Sequence, residues 1–368
     1  MVDSPQNLSQ SEFKPSAETA VYRILDANLD RAREGLRIIE EWCRFGLNHQ
    51  SLTEHLKGLR QTLAKWHTAD IRRARDTPGD PGTALNHPQE AERTSVAAVL
   101  QANFCRLQEA LRVLEEYGKL YRSDFAAACK DMRYTAYTLE SELLGQYRLQ
   151  RMHQALTYLV TSPREGLPQV VEAALQGGVA IVQYRDKHTD DCIRIELAQK
   201  LKELCHRYGA LFLVNDRVDL ALAVDADGVH LGQTDLPIEV ARRLLGGDRI
   251  IGRSTTNPDE MQRAVAEGAD YIGVGPVYST PTKPDKAAAG LDYVRYAAEH
   301  STVPWYAIGG INTDNLQEVL QAGADRVAVV RAIIEADNPT LISQYFVAQT
   351  NHHKAFYPRL SHQAQSHD

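Results

Sequence analysis

Short β-rich runs alternate with amphipathic helical runs eight times between residues 156 and 331, and this rhythm limits the fold more than any other feature. The strand-like runs are Leu156–Val160, Ala180–Arg185, Leu211–Asn215, Gly228–Gly232, Arg249–Ser254, Tyr271–Pro276, Pro304–Gly309 and Arg326–Arg331. Helix-like segments between them include Val170–Gln176, Asp191–Tyr208, Leu236–Leu245, Pro258–Glu267, Leu291–Glu299 and Thr313–Gln321. Gly268-Ala269-Asp270 and Gly323-Ala324-Asp325 supply the glycine stop expected between a helix and the next strand. Eight such units in roughly 190 residues predict a compact (β/α)8 TIM barrel. A doubly wound sheet fits less well, because no Gly-x-Gly-x-x-Gly turn follows the first strand.

A chain of 368 residues is too long for one ordinary core, and the first part has a different rhythm. Apolar residues recur at three and four, as in Leu29, Ala32, Leu36, Ile39 and Trp42, which predicts helices. The pattern Asn28-x-x-Arg31-x-x-Glu34-x-Leu36-Arg37-x-x-Glu40-Glu41 returns as Asn103-x-x-Arg106-x-x-Glu109-x-Leu111-Arg112-x-x-Glu115-Glu116. A fainter echo links Lys57-x-x-Arg60-x-Thr62 to Lys130-x-x-Arg133-x-Thr135. The expectation is a separate all-α domain made from a duplicated helical hairpin, its halves parted by the Pro/Gly-rich stretch from Asp76 to Pro88. The predicted layout is a flexible tail over 1–16, the helical domain over 17–145, a linker over 146–155, the barrel over 156–349 and a polar tail over 350–368. The repeated polar face, with Asn28, Arg31, Arg37, Asn103, Arg106 and Arg112, reads either as the lining of a shared ligand site or as solvated Glu–Arg pairs.

The net charge of −7 and the lack of a long basic run argue against nucleic acid as a partner. No apolar run approaches the ~20 residues that span a bilayer, and the N-terminus has no signal-like pattern, so a cytoplasmic, membrane-free protein is expected. Five scattered cysteines without a Cys-x-x-Cys pair read as reduced thiols and argue against structural zinc.

In a barrel of this kind, function sits on the loops leaving the C-terminal strand ends. The second strand ends with Gln183, Arg185 and Lys187 at alternate positions, so one amide and two cations share a face. Two cations aimed together call for an anion, and phosphate or pyrophosphate suits both; a solvated strand end is the plainer alternative. The third strand ends in Asn215-Asp216-Arg217 and the fourth in a stretch reaching Asp235. Asp216 and Asp235 beside those cations suggest Mg2+, held by one or two carboxylates and substrate phosphates, although Asp216 also suits a helix cap near Val218. Ser254 ends the fifth strand, Thr280-Pro281-Thr282-Lys283 follows the sixth, Gly309-Gly310 the seventh and Val330-Arg331 the eighth. The threonines, Lys283 and the glycines offer a second phosphate site, or simply turns. His230, in mid-strand, reads as a satisfied core histidine before it reads as a base. Two phosphate sites and one Mg2+ on one rim imply a reaction between two phosphorylated small molecules, one carrying a pyrophosphate leaving group.

From about Leu156 to Ala332 the chain resembles the thiamine-phosphate synthase family. The resemblance rests on Tyr158-Leu-Val-Thr161, Val182-Gln-Tyr-Arg-Asp-Lys187, Asn215-Asp-Arg217, Gly228-Val-His-Leu-Gly-Gln-x-Asp235, Tyr271-Ile-Gly-Val-Gly-Pro276, Thr280-Pro-Thr-Lys283 and Ala307-Ile-Gly-Gly-Ile311. It implies that a hydroxymethylpyrimidine diphosphate is joined to a thiazole phosphate, or its carboxylated form, giving thiamine phosphate and PPi. By position it implies that Gln183, Arg185, Lys187 and Asn215 bind the pyrimidine diphosphate and that Asp216 and Asp235 hold Mg2+. Ser254 and Lys283 would touch the pyrimidine or its pyrophosphate, with Arg185, Lys187, Ser254 and Lys283 as the catalytic set. Thr280, Thr282, Gly310, Val330 and Arg331 would hold the thiazole phosphate. The sequence departs from the family at Arg331, commonly Ser, and at Thr256, commonly His. The helical region is similar to a domain sometimes fused to this synthase, which implies a kinase using ATP on the pyrimidine monophosphate. An assembly module, compatible with a homo-oligomer, is the alternative for that region, and a thiazole tautomerase or binder is the alternative for the barrel.

Overall fold

The computed structural model describes residues 16–80, 93, 95–280 and 287–356, which form two compact units dividing between Glu140 and Ser141. Among these residues no helix is long and apolar enough to cross a membrane.

In the first unit, helix α1 (Ala17–Glu41) starts at Ser16, whose side chain caps the Thr19 N–H, and ends in a π-helical turn over Trp42–Gly46. Helix α2 (Gln50–Trp66) and the short α3 (Ala69–Arg73) follow, then α4 (Val96–Tyr121) and the first part of α5 (Ser123–Gln154), whose residues from Ser141 belong to the second unit. The apolar stripe Leu25, Leu29, Ala32, Leu36 and Ile39 of α1 is buried, as are Leu100, Phe104, Leu107, Leu111 and Leu114 of α4. Both repeats bury a carboxylate at the matching place: Glu40 takes Arg60 Nε at 2.8 Å, and Glu115 takes Arg133 Nη2 at 2.8 Å, tying the two helices of each hairpin together. Among the described residues, the bonds made by the shared polar face are local. The Asn28 and Asn103 amides donate to carbonyls one turn back on their own helices, Ile24 and Val99. Arg31, Arg37, Arg106 and Arg112 are exposed, and Arg37 and Arg112 pair with Glu41 and Glu116 four residues on.

In the second unit eight parallel strands close into a barrel: β1 (Thr157–Val160), β2 (Ile181–Tyr184), β3 (Leu211–Asn215), β4 (Gly228–Leu231), β5 (Ile250–Thr255), β6 (Tyr271–Val274), β7 (Trp305–Ile308) and β8 (Val327–Val329). Closure is made by β1 against β8, with Thr157 opposite Val327. The outer helices are α6 (Leu167–Gln176), α7 (Asp191–Arg207), α8 (Val218–Ala223), α9 (Ile238–Leu245), α10 (Pro258–Ala266), α11 (Gly290–His300), α12 (Leu316–Gln321), α13 (Arg331–Ile334) and α14 (Pro339–Phe356). Alternation along each strand sorts the side chains. Val182, Tyr184, Phe212, Val214, Ile251, Ile272 and Val274 point outward into the layer shared with the helices. Tyr158, Ile181, Leu211, Leu213, Ile250, Tyr271, Tyr306 and Ala328 fill the interior.

Residues 146–154, expected as a linker, are instead the last turns of α5. The reason is burial: Met152 and Ala155 join the interior cluster, and their carbonyls accept from the Tyr306 hydroxyl at 3.1 and 2.9 Å. Arg148 is anchored beside them, donating to Asp227 at 3.1 Å and to the Asp248 carboxylate at 2.8 Å. The C-terminal stretch expected as a loose tail from residue 350 continues α14 to Phe356, with Phe346 and Thr350 buried.

Candidate functional site

The inward-facing residues one layer above the tyrosines open into a pocket of about 410 Å3 at the C-terminal strand ends. Gln183, Asn215, His230 and Ser254 line it from four adjacent strands, and Arg185 extends from the end of β2. Their shared side follows from parity: Ile181 and Gln183, Leu213 and Asn215, and Ile250 and Ser254 are even-numbered steps apart on their strands.

The pocket floor is one hydrogen-bonded chain. Gln183 Nε2 donates to Tyr158 Oη at 2.6 Å, Tyr158 Oη lies 2.9 Å from Tyr271 Oη, and Tyr271 Oη lies 2.8 Å from His230 Nδ1. His230 Nε2 then lies 2.9 Å from Ser254 Oγ. Burial pushes the Tyr158 and Tyr271 hydroxyls far above the ordinary tyrosine range, so both stay protonated and can pass the chain along. Tyr306 completes the floor, its ring centroid 5.2 Å from that of Tyr158 and 5.7 Å from that of Tyr271. Gly252 makes room for this arrangement, since a Cβ there would lie 2.2 Å from the Tyr271 ring.

Beside Asn215, the backbone of Asp216 is held in the left-handed region (φ 62°), its N–H donating to the His230 carbonyl at 2.9 Å. Burial raises the Asp216 pKa first, the adjacent Asp235 carboxyl raises it further, and Lys187, 3.1 Å away, acts in the opposite sense. Asp235 Oδ2 also accepts the Gly232 N–H at 2.6 Å. Helix α8 does begin at Val218, but its cap position is Arg217 and no side chain caps it, so Asp216 is left for another task.

On the far side of the mouth, Thr280, Gly310, Val330 and Arg331 line the same pocket, with Thr256 and Glu335. Glycine is required at 309 and 310: both have positive φ, and a Cβ would meet Pro276 at 2.4 Å or Tyr278 at 2.7 Å. Thr256 is turned partly to its own helix, its N–H and hydroxyl donating to Glu260 at 2.7 and 2.9 Å. Thr282 and Lys283 lie outside the described residues.

The pocket thus joins Gln183, Arg185, Asn215, Ser254, Thr280, Gly310, Val330 and Arg331, with Lys187, Asp216 and Asp235 gathered beside Asn215. Sequence reasoning missed Tyr158, Tyr271, Tyr306 and Glu335 as lining residues. The parity of the tyrosines on their strands was the available signal.

The fold and mouth define a parallel-stranded barrel with cationic, amide and carboxylate side chains gathered at its C-terminal rim. Residues 157–333 match the family described as thiamine monophosphate synthase, and residues 23–142 match the ThiD2 family. The chain is 66% identical to a thiamine-phosphate synthase of Nostoc sp., over 91% of this chain and 95% of that one. It is 64% identical to the Synechocystis sp. enzyme of the same name, over 92% of this chain and 98% of that one. A solved thiamine phosphate pyrophosphorylase from Pyrococcus furiosus superposes with a TM-score of 0.52 at 38% identity, covering 55% of this chain and 98% of its own. The chain belongs to the thiamine-phosphate synthase family, a family of transferases.

Proposed function

We propose that the barrel joins a hydroxymethylpyrimidine diphosphate to a thiazole phosphate, plain or carboxylated, releasing PPi, and CO2 as well from the carboxylated form. The bond between the pyrimidine methylene carbon and the diphosphate breaks, and its electron pair leaves on PPi. The thiazole nitrogen lone pair then forms the new C–N bond. One observation carries the reading: Gln183, Arg185, Asn215 and Ser254 converge on one mouth with the Asp216–Asp235 pair beside them. Arg185, Lys187 and Lys283 stabilise charge growing on the departing diphosphate, while Gln183, Asn215 and Ser254 orient the ring. Thr280, Thr282, Gly310, Val330 and Arg331 take the thiazole phosphate. No general base is needed, because the nucleophilic nitrogen carries its own lone pair.

Asp216 and Asp235 fit Mg2+, since a cation relieves two like charges held together in a half-buried place. Mg2+ would neutralise charge on the leaving group when bound. Asp216→Ala and Asp235→Ala are each expected to abolish Mg2+-dependent PPi release from the two substrates; activity surviving in both variants refutes the metal assignment.

For the helical unit the reading is a kinase that makes the diphosphate from pyrimidine monophosphate and ATP, supported by the match over residues 23–142. The test uses the full chain carrying Asp216→Ala and follows ADP formation that depends on the monophosphate. No turnover favours an assembly role.

A further inference from the structure

The first unit holds a second concave site that the synthase chemistry does not use. A depression of about 470 Å3 is lined by Asp30, Arg33, His67, Arg72 and Arg75, with the buried Asp26 behind them. His67 is the fixed point. Its side chain is only 2% exposed, its Nε2 lies 2.7 Å from Asp26 Oδ1, and Arg75 clasps the same carboxylate at 2.7 and 3.0 Å. Burial pushes Asp26 up, but the hydrogen bonds from Arg75 and His67 outweigh it and leave the carboxyl below its ordinary range. Asp26 is therefore an anion that fixes the ring through Nε2, while Nδ1 is turned towards Asp30. Nδ1 is buried with no hydrogen-bond partner, and Asp30 stands off at 3.6 Å. Arg33 Nε is likewise buried without a partner, and Arg72 makes no ion pair among the described residues.

The duplication provides an internal control. At the 75-residue offset that relates Asn28 to Asn103, Asp26, Asp30 and Arg33 correspond to Gln101, Cys105 and Gln108. At the 73-residue offset that relates Arg60 to Arg133, His67 corresponds to Glu140. In the second hairpin Gln108 and Glu140 simply bond to each other at 2.6 Å. That hairpin still keeps its Glu115–Arg133 pair, the counterpart of Glu40–Arg60. Both hairpins keep the carboxylate–arginine tie, and the second adopts the same hairpin without the Asp–His–Arg cluster. Three guanidiniums against two carboxylates, with two buried N–H or ring nitrogen sites unfilled, describe a place for an anion.

We propose that this depression is a phosphoryl-anion site, taking the phosphate of a monoester or the end of a polyphosphate. Arg72 and Arg33 grip the anion, and His67, fixed by Asp26, presents Nδ1 to it. The site stands independently of the kinase reading; if the unit is a kinase, this is where one of its phosphates rests.

The test titrates the full-length protein with inorganic pyrophosphate by calorimetry. The wild type is expected to bind two equivalents, one in each unit. Arg185→Ala removes the barrel event. Arg72→Gln and the Arg33→Gln/Arg72→Gln pair weaken the other by about tenfold or more and leave synthase turnover unchanged. His67→Gln weakens it as well. Arg72 is an exposed helix residue, so Arg72→Gln keeps the test free of folding effects. A wild type that binds a single equivalent, or a second event unaltered in the Arg33/Arg72 pair, overturns the proposal. Loss of that event without any ATP turnover in the wild type leaves the site standing and removes the kinase reading; ATP turnover with the second event unaltered does the reverse.

Discussion

Replacing Arg148 by Met tests how the barrel floor is held. Asp227 is 7% exposed and accepts from Arg148 Nε at 3.1 Å, His206 Nε2 at 3.0 Å and the Phe212 N–H at 2.9 Å. Burial works to raise its pKa, but the His206 hydrogen bond and charge, the Arg148 charge and the Phe212 N–H prevail and hold the carboxyl at about 2 against an ordinary 3.8. That depression corresponds to about 2 kcal/mol of folded-state stability. Because the folded pKa lies below the unfolded one, the contribution is complete above about pH 4 and fades as pH falls towards 2. Removing one partner of a buried pair costs about 3–5 kcal/mol when the survivor is stranded; Asp227 keeps two partners, so a loss of roughly 2–3 kcal/mol at pH 7 is expected. The assay is urea unfolding followed by Trp305, buried in β7, in a Trp42→Phe/Trp66→Phe background so that fluorescence reports this unit alone. The variant should unfold at lower urea, and its stability should fall less between pH 4 and 2. An unchanged midpoint, or an acid limb as steep as in the parent, refutes the reasoning.

Three further outcomes follow from the pocket. Tyr271→Phe cuts the chain between Tyr158 and His230, and leaving two buried groups short of a partner should cost about 1–3 kcal/mol and lower kcat/KM by roughly tenfold; an unaltered kcat/KM sinks the positioning role. Arg331→Ser should raise KM for the thiazole phosphate about tenfold with kcat little changed, as steady-state kinetics would show; unchanged affinity removes Arg331 from that site. Gly252→Ala drives a methyl against the Tyr271 ring and should destabilise the barrel by about 1–3 kcal/mol in the same urea assay.

The barrel was legible because each strand reports itself locally: Leu211–Asn215 is bounded in the structure as its apolar run predicts, and the other seven differ only at their ends. The four-residue α13 was not, being too short to display a period. Residues 146–154 resemble a connection in the sequence because Arg148 and Arg151 give a polar surface to a segment whose buried face is carried by Met152 and Ala155. The cations and carboxylates of the mouth were visible as residue types at strand ends. The tyrosine floor was not, because Tyr158 and Tyr271 are 113 residues apart and meet only when β1 closes on β8. The charged depression in the first unit is hidden for a related reason: the repeat displays what the two hairpins share, and the depression is built from residues they do not.

Inside–outside alternation also governs where this gene can change length. Losing one residue within Ile181–Tyr184 would turn Val182 to the mouth and send Gln183 among the outer helices, so small deletions in strands should be lethal. The same loss in a helix-to-strand connection leaves every lining residue in place. Tolerated insertions and deletions should therefore gather in those connections, and a collection of randomly shortened variants would draw the barrel's frame as a map of survival.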